Sequence, residues 1–159
     1  MQEPRPFLVH GQWRQGDRTS RVVNPFDGRL IADVVQATES DIEQAITSTV
    51  DAAAPMGALP AHARYNILQQ IAALLNRRRD EVASTITAEA GKPITDAKRE
   101  VSRAVQTFTV AAEEARRIPG ELVPLDWMPG SDSHLGILRR FPIGPVLGIT
   151  PFNFPLNLV

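Results

Sequence analysis

Apolar positions along this chain change their spacing as it proceeds, and each change marks a different kind of structure. Through the first forty residues they come in short clusters, Phe7-Leu8-Val9, Arg21-Val22-Val23 and 30–35, a layout of short strands joined by turns. Asn24-Pro25-Phe26-Asp27-Gly28 supplies turn chemistry between the last two, with proline fixing φ and glycine accepting φ > 0. From residue 40 to residue 118 the spacing is helical. Ser40 and Glu43 stand at capping-box distance, and Ile42, Ala45, Ile46, Thr49, Val50 and Ala53 follow at steps of three and four. Pro60 opens a second helix with Ile67, Leu68, Ile71, Leu74 and Leu75 on one stripe, closed by Arg77-Arg78-Arg79, charges suited to the negative end of a helix dipole. Asp80 and Glu81 begin a third, with Val82, Ile86 and Ala90 inward and Gly91 as its C′ residue.

Pro93 begins the most regular segment. Ile94, Ala97, Val101, Ala104, Phe108, Ala111, Ala115 and Ile118 alternate steps of three and four until Pro119-Gly120. This predicts one unbroken helix over 93–118, about 39 Å long, whose small side chains suit close packing against a neighbour. Residues 124–134 read as a polar connection, and 135–141 as extended chain. Val146-Leu147-Gly148-Ile149, wholly apolar, reads as a buried parallel strand. Thr150-Pro151-Phe152-Asn153-Phe154-Pro155 excludes regular structure because two prolines stand four apart, and Pro155 suits the first turn of a further helix, Leu156-Asn157-Leu158-Val159. Ending inside an apolar stretch is the mark of a truncated chain. The fold class expected is α/β.

Composition narrows the function classes. With 159 residues, 43% of them hydrophobic, the chain has the size of one globular unit. Its 17 basic and 18 acidic residues leave a formal charge of −1, no footprint for nucleic acid or an anionic membrane. No apolar run approaches the ~20 residues that span a bilayer, and Met-Gln-Glu-Pro-Arg-Pro lacks the basic-then-apolar layout of a signal peptide, so a cytoplasmic location is expected. Without cysteine the chain has no disulfide, no thiolate metal site and no thiol nucleophile. His10, His62 and His134 are too widely spaced to suggest a local metal pair.

Candidate chemistry concentrates near the end. A strand, a tight loop and a helix start form the unit whose loop lies at the carboxyl edge of an α/β sheet, where ligands bind. Asn153 is the strong side-chain donor of that loop. Its amide either closes an Asx-turn, which spacing alone favours, or points at a developing oxyanion. No G-x-G-x-x-G is present.

The segment from Gly144 through Pro151-Phe152-Asn153-Phe154-Pro155 to Leu156 resembles the stretch of aldehyde dehydrogenases that runs from a strand into the cofactor and oxyanion site. Asn24-Pro25-Phe26-Asp27-Gly28, Glu89-Ala90-Gly91-Lys92-Pro93 with Glu100-Val101, and Ile118-Pro119-Gly120-Glu121 resemble further landmarks of that family in the same order. Four landmarks in register reverse the balance on Asn153.

The resemblance implies the amino-terminal part of the family's cofactor-binding domain, with the catalytic domain absent and an oligomerisation strand at 135–141. It implies NAD or NADP as cofactor, a small aldehyde as substrate and a homo-oligomeric full-length parent. Asn153 would donate to the tetrahedral oxyanion alongside the nucleophile's backbone N–H. Ile149, Thr150, Pro151, Phe152 and Asn153 would lie at the dinucleotide, and Phe154 near the substrate tunnel. In the family a cysteine thiolate attacks the aldehyde, hydride passes to NAD(P)⁺ and a glutamate-activated water releases the acid. Since no cysteine is present here, the chain alone is expected to be inactive. The wording Glu100-Val101-Ser102-Arg103 is similar to members acting on small, often anionic aldehydes such as lactaldehyde, phosphorylated glyceraldehyde or phosphonoacetaldehyde. It would make Arg103 an anion contact, against the plainer reading of a solvated helix flank. The competing class is a non-enzymatic helical interaction module derived from the same fold.

Overall fold

A computed structural model describes residues 3–158, so parts of two readings, the Met1-Gln2 start and the Val159 end of the last helix, lie outside the described residues. Among the described residues, three antiparallel strand pairs frame four helices. β1 (Phe7–Val9) pairs with β2 (Gln12–Arg14), and β3 (Thr19–Val23) with β4 (Leu30–Val35). The helices follow as α1 (Glu39–Ala58), α2 (Ala61–Arg77), α3 (Arg79–Ala90) and α4 (Ile94–Arg116). β5 (Glu121–Pro124) and β6 (Leu135–Leu138) then form a hairpin around the polar connection. β2 and β5 escape the apolar pattern, because three or four half-exposed residues carry too little periodicity to register.

α4 is unbroken, as its spacing predicts, and lies along α2 and α3. Ala97, Ala104 and Ala112 are fully buried, so the helix axes approach closely, and Val101 joins Ala83, Ile86 and Ala97 in the core. Each fully buried Val or Ile side chain contributes about 1.5–3 kcal/mol. The ends of the stripe are open, with Ile94 and Ile118 exposed.

Three expectations are corrected. The capping box belongs to Thr38 and Asp41 rather than Ser40 and Glu43: the Thr38 hydroxyl accepts the Asp41 N–H at 3.2 Å, and the Asp41 carboxylate accepts the Thr38 N–H at 2.9 Å. The helix therefore starts at Glu39, and its stripe of Ile42, Ile46 and Val50 is more than half exposed. Val146-Leu147-Gly148-Ile149 is irregular and exposed rather than a buried parallel strand, since a parallel strand is made by neighbours on its flanks and none exists among the described residues. Likewise Pro155 opens a run of turns with one helix-like bond, Leu158 N–H to Phe154 O at 3.4 Å, instead of a helix. Of the extended segment 135–141, only Leu135–Leu138 is paired. Among the described residues no helix is long and apolar enough to cross a membrane, and no His, Cys, Asp or Glu group of metal-binding size occurs.

Candidate functional site

The site begins where α3 meets α4. Gly91 ends α3 in the left-handed conformation, φ 67°, and a Cβ there would meet Pro25 Cγ at 2.8 Å. The β3–β4 turn can press against the α3–α4 corner only because residue 91 has no side chain. That turn is itself fixed by Asn24, whose side-chain oxygen accepts the Phe26 N–H at 2.9 Å.

Past this corner, Lys92 turns inward onto α4. Its ammonium pairs with the Glu100 carboxylate and donates to the Asn153 backbone carbonyl at 2.7 Å. The Glu100 side chain is 1% exposed. Its second oxygen accepts the Leu156 N–H at 2.9 Å and faces the Asn157 N–H at 3.4 Å. Asn157, also buried, meets the Thr107 hydroxyl at 3.1 Å. One ion pair on the α3–α4 unit thus holds the loop 153–157 at both of its ends.

Burial disfavours the Glu100 anion, but the Lys92 hydrogen bond, the two backbone N–H groups and the Lys92 charge outweigh it and hold the carboxyl below its ordinary value. Sequence reasoning treated Lys92 and Glu100 as landmarks without roles. A signal was available: Glu100 falls on the apolar stripe beside Ala97, Val101 and Ala104, and a carboxylate in a core position needs a cation and N–H donors.

Next to this pair lies a cleft of about 880 Å³. It brings together four of the residues singled out from sequence, Arg103, Phe152, Asn153 and Phe154, and adds Lys92 and Glu100. Two cations lie over the Phe154 ring, with Lys92 Nζ 4.1 Å and Arg103 Cζ 5.7 Å from its centroid. Arg99, at the cleft edge, is matched by Asp96 at 3.0 Å, whereas no ion pair claims Arg103 among the described residues. The cleft therefore presents one uncommitted guanidinium. Among the described residues no hydrogen bond holds the exposed Asn153 amide, so the Asx-turn bond seen at Asn24 has no counterpart there. Ile149, Thr150 and Pro151 lie outside the cleft, exposed on the chain leading into it.

Comparison with known proteins gives the family. Residues 13–159 match the profile of the Aldehyde dehydrogenase family. The chain belongs to that family. Among curated relatives of this aldehyde dehydrogenase segment, 3-sulfolactaldehyde dehydrogenase of Priestia aryabhattai is 37% identical over 153 residues, covering 96% of this chain and 32% of the relative. Aldehyde dehydrogenase 21 of Physcomitrella patens, solved with its reaction product succinate, superposes with a TM-score of 0.94 at 42% identity, covering 99% of this chain and 33% of that one. The NADP-dependent glyceraldehyde-3-phosphate dehydrogenase of Bacillus halodurans C-125, solved with NADP, gives 0.90 at 31% identity, covering 99% and 34%. The chain thus spans about a third of the length of the aldehyde dehydrogenases it matches. Its hairpins and helices are the amino-terminal part of the aldehyde dehydrogenase fold.

Proposed function

We propose that residues 1–159 form the amino-terminal part of the cofactor-binding domain of an NAD(P)-dependent enzyme that oxidises a small, anionic aldehyde to its carboxylic acid. The observation that carries this reading is the cleft that gathers Asn153, Phe154 and the uncommitted Arg103. Arg103 meets the charged tail of the substrate, Phe154 lines its path, and the Asn153 amide donates to the aldehyde oxygen as negative charge develops there. Some relatives are named for aldehydes that carry an acid group, 3-sulfolactaldehyde and aspartate semialdehyde among them, and others for neutral lactaldehyde.

The residues present fit the nicotinamide end of the cofactor. Ile149 and Phe152 are about nine-tenths exposed beside Thr150 and Pro151, and residues 139–152 join no backbone ladder among the described residues, which leaves an apolar wall with free polar backbone. When bound, NAD(P)⁺ accepts the hydride, so that aldehyde, water and NAD(P)⁺ give acid, NAD(P)H and a proton. The thiolate nucleophile and the general base come from sequence beyond these residues. β6, with exposed Leu135 and Ile137, is the proposed oligomerisation strand, and the cytoplasm the proposed location. A non-enzymatic docking module is the weaker reading, since such a module has no use for the loop at 149–154, which lies within the family match.

The test is to express the reading frame continued past the Val159 codon and assay it with lactaldehyde, 3-sulfolactaldehyde and succinate semialdehyde. Stoichiometric acid and NAD(P)H are expected, and residues 1–159 alone should make neither. An immediate stop codon, or a longer protein inert with the whole series, would overturn the reading.

A further inference from the structure

Lys92 and Glu100 are the most deeply embedded charged pair of the cleft, and the chemistry above leaves them without a task. Both line the cleft together with Asn153. What they hold is backbone: Lys92 fixes the carbonyl of Asn153 itself, and Glu100 fixes the N–H groups of Leu156 and Asn157. Two anchors on either side of Phe154 and Pro155 determine the plane of the Asn153 peptide, and with it the direction in which the side chain leaves the backbone. Solvent is kept from the Glu100 end of this anchor, where the side chain is 1% exposed, and that of Lys92 is 16% exposed.

We propose that Lys92 and Glu100 are positioning residues for Asn153, a single ion pair that aims the oxyanion-donating amide by clamping its loop from the α3–α4 corner and α4. The proposal rests on the aldehyde-oxidising reading of the same cleft. It follows that the pair affects turnover only through Asn153. A purely structural pair would instead change how much enzyme is folded while leaving turnover per folded molecule intact.

The experiment is a mutant cycle in the full-length enzyme. Lys92→Met alone strands a buried carboxylate, so the working variant is Lys92→Met with Glu100→Gln, which removes both charges and keeps similar shapes. With Asn153 present, kcat per folded molecule is expected to fall about 10- to 100-fold, while KM for the aldehyde moves by less than about threefold. With Asn153→Ala already in place, the same double substitution is expected to lower kcat by less than about twofold. Equal losses on both backgrounds, or unchanged turnover with Asn153 present, would overturn the proposal. Should the double variant not fold, Lys92→Arg keeps the charge but moves the donor off the Asn153 carbonyl, and the same fall in kcat is expected; full activity in that variant overturns the proposal equally. A parent enzyme inert with every aldehyde removes the functional reading and this proposal with it, whereas an active parent with indifferent variants removes the positioning role alone.

Discussion

The Glu100 carboxylate accepts the backbone N–H of Leu156 at 2.9 Å across 56 residues of sequence, from a side chain that is 1% exposed. A carboxylate so placed organises backbone as a helix cap does, but at long range, and it stays charged because Lys92 lies against its other oxygen.

That arrangement gives stability a defined pH dependence. The folded Glu100 carboxyl lies below its ordinary value, so its contribution is fully present above the unfolded value of about 4.3 and is lost as pH falls through the lower folded value. The melting temperature of the parent should therefore fall more steeply in that acid window than that of Glu100→Gln, which has no carboxyl to protonate. Parallel melting curves for the two proteins between neutral and acid pH would refute the assignment.

Gly91→Ala should destabilise the corner that carries Lys92. A left-handed alanine costs about 1–2 kcal/mol, and its Cβ would sit 2.8 Å from Pro25 Cγ, adding a clash that the turn must relieve. Urea unfolding of Gly91→Ala alone and combined with Pro25→Ala separates the two costs. If removing Pro25 recovers no stability, the contact between the β3–β4 turn and α3 is not a tight one.

Asn153→Ala in the full-length enzyme should lower kcat by about 10²–10³ with little change in KM if, as proposed, the amide is used chiefly when charge develops on the aldehyde oxygen. Its melting temperature should hold, since no hydrogen bond among the described residues depends on that side chain. A lower melting temperature with unchanged kcat would return Asn153 to a structural role.

Arg103→Gln should discriminate between substrates. Without the uncommitted guanidinium, KM for an anionic aldehyde is expected to rise about tenfold, the value of one solvent-accessible charged contact, while a neutral aldehyde such as propionaldehyde is processed as before. Equal effects on both substrates would make Arg103 a packing residue on the Phe154 ring.

The helices were legible in the sequence because their information is local. Apolar steps of three and four, Pro60 and Pro93 at the starts and Gly91 at a stop act within a few residues, and all four helices form where these signals stand. The turn at 24–28 was equally readable. The cap of α1 shows the limit of local signals: Thr38 with Asp41 and Ser40 with Glu43 both have the required spacing, and the geometry of the entering chain selects the first.

By itself, the sequence determined the helical segments, their order and the family landmarks, since each depends on residues adjacent along the chain. Only the tertiary structure decided that Arg103, Asn153 and Phe154 share one cleft and that Lys92 reaches Asn153 across 61 residues. It also decided that the apolar run 146–149 forms no strand. Hydrophobicity sets which side chains avoid water, but a strand exists only when a second backbone meets its N–H and C=O groups. A buried charge likewise survives only where distant donors converge on it, and neither partner is written in the local sequence.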